Sequence, residues 1–124
     1  MEQKKLKGKG EADYDYKHDI LFFKTVNREY SKSIELDNLV IDIDKEDFIS
    51  GVQLFEASKF LNLDKETLRA INHWQYIGTT TEEGKIEIRL IFNIIMRNKT
   101  IEKNPIIIQS TNERLAESYL VCTV

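Results

Sequence analysis

One cysteine, Cys122, stands alone in a chain of 124 residues, so no disulfide can close within it. A lone thiol fits a reducing compartment, and the cytoplasm is the expected location. Proline is equally scarce. Pro105 is the only one, which excludes proline-rich linkers and recognition segments. No apolar run approaches the roughly 20 residues that a helix needs to cross a bilayer. The basic start, MEQKKLKGKGE, lacks the apolar stretch of a signal peptide. Two histidines, His18 and His73, and one cysteine are too few for an ordinary zinc site.

What is present describes a globular chain. Hydrophobic residues make up 41% and charged residues 31%, the balance of an ordinary folded domain. At this length, burying roughly two-thirds of the unfolded surface is feasible in one domain without a metal or disulfide staple. The net charge of −3 conceals an asymmetry. Lys4, Lys5, Lys7 and Lys9 stand against Glu2 in the first ten residues, which leaves the remainder acidic. Residues 1–12 read as a flexible basic tail, the functional alternative being an arm for RNA, DNA or an acidic partner. The acidic remainder, 13–124, weighs against nucleic acid as the main partner.

Secondary structure is organised around Lys85 to Arg97, KIEIRLIFNIIMR. Ile86, Ile88, Leu90, Phe92, Ile94 and Met96 occupy every second position without a break, the period of a strand with one buried face. The opposite face begins charged and ends with Ile91 and Ile95. Before it, strands are expected at Asp19–Thr25, Ser31–Leu36, Leu39–Asp44 and Phe48–Phe55, with a hairpin around Asn27 and another at Asp44–Asp47. Gly51 sits where the alternation slips, as at a bulge. Asp64 before Lys-Glu-Thr-Leu68 has the character of a helix cap, with Leu63 placed to pack on Leu68. The helical segment near residues 57–71 is short. Strands resume at Trp74, and the remainder reads as a second meander running to Val124, with Pro105 on an edge or at a bulge.

The expected class is therefore mainly β (α+β), with seven or eight strands in antiparallel meanders and one short helical segment. Residues 13–124 form a single domain, a meander over 13–61 followed by the helix and a second meander over 62–124. So little helix cannot cover a sheet with Ile91, Ile95 and Ile106–Ile108 on it. Either the two meanders pack face to face, or a second copy covers the excess.

Tyr14-Asp15 with Asp19-Ile20-Leu21, Asn38-Leu-Val-Ile-Asp42, Ile49-Ser-Gly51-Val52, and Leu54 leading to Ala57-Ser58 carry a resemblance. In order and spacing, Tyr14 to Ser58 resembles domain-of-unknown-function family 2283, small archaeal and bacterial proteins. The resemblance implies a β-meander followed by a helix, and no established reaction. It also raises an antitoxin-like, partner-binding role. Asn62 to Val124 lies outside it.

Candidate chemistry is sparse. Asp42, Asp44, Glu46 and Asp47 cluster at one turn and could offer oxygen ligands to Ca²⁺ or Mg²⁺; a solvated acidic hairpin is the plainer reading. His18 with Asp13, Asp15 and Asp19 could bind a transition metal or act as an acid–base pair, or simply sit in a surface turn. Ser31, Ser33, Ser58 and Cys122 are possible nucleophiles, but nothing in the sequence activates them. Gly8-Lys-Gly10 lacks the strand–loop–helix setting of a phosphate loop. No catalytic or cofactor residue is assigned. The expected function is a non-catalytic interaction or self-association module with a protein partner or a second copy, away from membranes. A weak divalent-cation binder and a small hydrolase are the alternatives.

Overall fold

The basic start is not a tail. In the computed structural model, which describes residues 3–124, Lys4–Asp15 forms a twelve-residue strand, β1. The expected flexible segment 1–12 is corrected accordingly, its first two residues lying outside the described part. Leu6, Gly8, Gly10, Ala12 and Tyr14 turn inward, whereas Lys5, Lys7, Lys9, Glu11 and Asp13 are exposed. The alternation was there, hidden because two of its inward positions are glycines that add no hydrophobicity.

Eleven further elements follow: β2 (Ile20–Thr25), β3 (Tyr30–Leu36), β4 (Leu39–Asp44), β5 (Ile49–Phe55), α1 (Ala57–Leu61), α2 (Lys65–Ala70), β6 (Trp74–Thr80), β7 (Lys85–Met96), β8 (Lys99–Lys103), β9 (Ile106–Ser110) and β10 (Ser118–Thr123). The mainly-β class stands, with ten strands among the described residues where seven or eight were expected. The helical segment divides in two at Asn62, whose φ of 55° ends α1. Asp64 caps α2 as its position suggested, its carboxylate accepting from the Thr67 amide at 2.7 Å.

The strands run β3-β4-β5-β2-β1-β10-β6-β7-β8, with β9 also paired to β7. β1 belongs to both halves. Residues 4–9 pair in parallel with β10, and residues 10–15 pair antiparallel with β2. The halves fold over on each other about this strand. Phe23 of β2 meets Trp74 and Tyr76 of β6, with ring centroids 5.3 and 5.8 Å apart. The Tyr76 hydroxyl donates to the Ile49 carbonyl at 3.0 Å and lies 2.7 Å from the Thr25 hydroxyl. One core thus fills the space between the two sheet halves.

Two connections differ from the simple meanders. β2 and β3 are not a hairpin, since β5 and β4 lie between them, and residues 26–29 cross the strand ends to reach the far edge. β10 does not continue a meander either. It inserts between β1 and β6. Local alternation identifies strands but carries no information about such distant neighbours.

β7 supplies the core largely as its spacing predicts. Ile86, Ile88, Leu90, Phe92 and Ile94 are buried, whereas Met96 is 51% exposed. The exception has a geometric cause. β6 pairs only with residues 86–92, so the end of β7 continues into a hairpin with β8 beyond the body of the sheet. Arg97 and Asn98 turn that hairpin, both at positive φ, as a tight two-residue turn requires. Pro105 separates β8 from β9 along the same flank of β7 and still offers its carbonyl to the Leu90 amide.

The two-sided role of β1 demands close approach. A Cβ on Gly10 would collide with the Cys122 sulfur and the Lys24 carbonyl, and one on Gly8 would lie 2.8 Å from a Thr25 methyl. We expect Gly10→Ala to destabilise the fold by about 1–3 kcal/mol through overpacking, measured by urea unfolding with an unchanged slope. A variant as stable as the parent would contradict this packing.

Candidate functional site

The four acidic residues at the β4–β5 turn do not act as one group. Asp44 is almost fully buried, and its Oδ1 accepts from the Glu46 and Phe48 amides at 2.9 and 3.0 Å. Its Oδ2 accepts from Arg28 Nε at 2.7 Å. Arg28 also reaches Glu46 at 3.0 Å and lies over the Phe48 ring. Asp44 raises the guanidinium's already high pKa further, chiefly by that hydrogen bond. Asp42 sits on the strand and accepts from the Ser33 hydroxyl at 2.7 Å. Asp47 occupies a positive-φ turn position. Among the described residues, no three His, Cys, Asp or Glu side chains converge as a metal ion needs. Arg28, sixteen positions upstream of Asp44, left no signal in the sequence as its partner.

A second carboxylate ties distant segments together. Asp19, at a φ of 57°, accepts from the Tyr14 hydroxyl at 2.6 Å, the Ser58 amide at 3.0 Å and the Ser58 hydroxyl at 2.6 Å. Its carbonyl accepts from the Ala57 amide. Burial pushes the Asp19 carboxyl upward, but the hydrogen bonds from Ser58 and Tyr14 outweigh it and hold the group below its ordinary value. Ser58 is thus committed to Asp19 and has no histidine beside it. The end of β1, the β1–β2 turn and the start of α1 are held as one knot.

The remaining sequence candidates are scattered. His18 pairs with Asp15 at 2.9 Å on the surface, and His73 lies exposed on the rim of a groove between α2 and the β7–β8 hairpin. Ser33 bonds Asp42, as noted, and lies 2.8 Å from the Tyr30 hydroxyl. Cys122 is buried against Gly10, and burial pushes its thiol pKa up, so it is a poor nucleophile.

One edge of the sheet is chemically distinct. Of the large exposed apolar side chains, Ile95 (76%), Met96 (51%), Ile106 (44%) and Ile108 (54%) all lie on β7 and β9 along this flank. β9 pairs with β7 on one side only, and no strand among the described residues borders its other side. Farther in on the outer face, Arg89 lies between Ile106 and Ile77, Glu87 is opposite Ile108, and Ile91 faces Gln75. Beneath the hairpin tip, the groove of about 470 Å³ is bordered by Ile71, Asn72, Asn93, Ile94 and Thr100.

Residues 12–58 match the family described as "Protein of unknown function (DUF2283)", a span that contains Tyr14, Asp19, Asp44 and Ser58. A Methanosarcina mazei protein named "Putative hypoxanthine phosphoribosyltransferase" is 35% identical over 91 residues, 73% of either chain. "Uncharacterized protein MJ0789" of Methanocaldococcus jannaschii is 28% identical over 100 residues, 80% of this chain and 85% of the relative. No solved structure matches the chain. The chain belongs to the DUF2283 family, and its relatives extend the likeness well beyond the matched segment.

Both carboxylates are expected to act on stability. Asp44→Ala should cost about 3 kcal/mol, because it leaves Arg28 without its buried partner; chemical denaturation measures this, and a loss under about 1 kcal/mol would contradict it. Asp19 adds a pH signature. Unfolded, its carboxyl returns to the ordinary 3.8, so between the two values the unfolded chain binds more protons. Stability therefore falls as pH drops through that window. Asp19→Asn should lower stability at neutral pH and flatten this acid limb; an unchanged limb would refute the assignment.

Proposed function

We propose that this family member is a non-catalytic, cytoplasmic module that works by self-association, adding the β9 edge of a second copy to its own. The observation that carries the reading is the unpaired side of β9, with Ile106 and Ile108 exposed on that strand and Ile95 and Met96 exposed on the adjoining β7–β8 hairpin. Such an edge presents unpaired backbone donors and acceptors beside apolar side chains, a ready template for strand addition.

Charge favours a second copy as the occupant. In a twofold antiparallel pairing, each residue of β9 faces the same segment of its mate. Ile106, Ile107, Ile108, Gln109 and Ser110 contain no charge, so no like-charge pair opposes the contact. The other outer edge, β3, carries Lys32 and Glu35, and β8 carries Lys99, Glu102 and Lys103. Those charges discourage indiscriminate pairing at the flanks.

The phosphoribosyltransferase reaction in the Methanosarcina relative's name has less support here. Transfer from a diphosphate-bearing ribose calls for a cradle of free backbone amides, usually at a helix start. The one Gly-Lys-Gly segment, Gly8 to Gly10, lies inside paired strand β1. The cation reading of Asp42, Asp44, Glu46 and Asp47 is also weaker, because Asp44 spends both oxygens on Arg28 and the turn amides.

Size-exclusion chromatography with light scattering tests the reading. At micromolar concentration the parent should run at twice the chain mass, and Ile108→Lys should run at the single-chain mass with an unchanged melting temperature. Ile108→Val should remain paired. A parent that stays at the single-chain mass as concentration is raised would rule the proposal out.

A further inference from the structure

The outward side of β1 carries a second feature, independent of the β9 edge. Lys5, Lys7 and Lys9 are exposed on the same side of one strand, spaced about 6.7 Å apart by its pleat. Across the ladder they face Tyr119, Val121 and Thr123, none of them charged. No ion pair among the described residues includes any of the three. The neighbouring cations are handled differently. Arg28 is held by Asp44 and Glu46, and Lys24 faces Glu11 across the β1–β2 ladder. The acidic average of the chain therefore conceals a local file of three uncompensated ammonium groups.

We propose that this file binds single-stranded nucleic acid, the lysines following the phosphate backbone while a base stacks on Tyr119. Three observations favour a linear polyanion. The charges lie in single file, and pairing with β10 sets their spacing before any ligand arrives. Tyr119, beside Lys5, offers an aromatic ring at the same level, as sequence-tolerant strand binders do. The file ends sharply, because the same side of β1 continues with Glu11 and Asp13. A flat anionic membrane would have to approach those carboxylates, together with Glu87 on the same outer sheet face; a single strand can follow the lysines alone. The average charge of −3 limits long-range attraction, so binding depends on these few contacts and is steeply weakened by salt.

Fluorescence anisotropy of the full chain with a fluorescein-labelled oligothymidylate tests this. Between about 50 and 200 mM salt, log affinity should fall against log salt with a slope of about −2, as expected for three phosphates on a single strand. Lys5→Gln, Lys7→Gln and Lys9→Gln together should weaken binding at least about tenfold and flatten that slope. Lys17→Gln with Lys59→Gln should leave both unchanged, and Tyr119→Leu should weaken binding without altering the slope. All three are exposed lysines, so an unchanged circular dichroism melt is expected for the triple variant. Absence of binding by the parent at about 50 mM salt would overturn the proposal. So would equal loss in the Lys17 and Lys59 control, or lysine-dependent binding to phosphatidylserine vesicles without any to the oligonucleotide.

Discussion

The two-sided pairing of β1 is the constraint on which the molecule depends. One strand hydrogen-bonds to the last strand of the chain with its first half and to β2 with its second. That arrangement turns a row of strands into two facing layers with a shared core. Parallel pairing between segments more than a hundred residues apart carries a high loop-closure cost during folding. The native state offsets it with apolar burial, because Leu120 and Cys122 reach the core only beside Leu6 and Gly8. The glycines are necessary to this geometry, since any side chain at Gly10 would occupy the place of the Cys122 sulfur.

The polar residues that first suggest chemistry instead hold this architecture together. Asp44 joins the strand-crossing segment of Arg28 to the β4–β5 turn, and Asp19 joins β1 to α1. Each carboxylate already accepts three hydrogen bonds, using both of its oxygens, which leaves little capacity to bind or activate anything else. Tyr14, Asp19 and Ser58, all within the span matched by the family, meet at the second of these knots. Their hydrogen bonds tie the end of β1, the β1–β2 turn and the start of α1 together.

Much of the strand pattern was legible in the sequence, for stated reasons. The alternation from Ile86 to Ile94 and the cap at Asp64 are local properties, and local spacing specifies them. β1 escaped notice because Gly8 and Gly10 break the hydrophobic count at inward positions. Strand order was not legible. Nothing near Asn27 says that β3 crosses to the far edge, and nothing near Ser118 says that the last strand returns to the first. The acidic turn showed the same limit. Asp44 reads as a ligand until Arg28 is brought against it by the crossing of residues 26–29. Ile95 and Ile106–Ile108, by contrast, stood out as excess apolar surface, and the fold gathers their exposed members on one flank.

Pairing with a second copy would satisfy the free backbone groups of β9, and backbone protection reports such pairing directly. Hydrogen–deuterium exchange at the amides of residues 106–110 should slow as protein concentration rises, while the amides of β3, at the opposite edge, keep the same rate throughout. Exchange at residues 106–110 that is equally fast at every concentration would contradict self-association through β9.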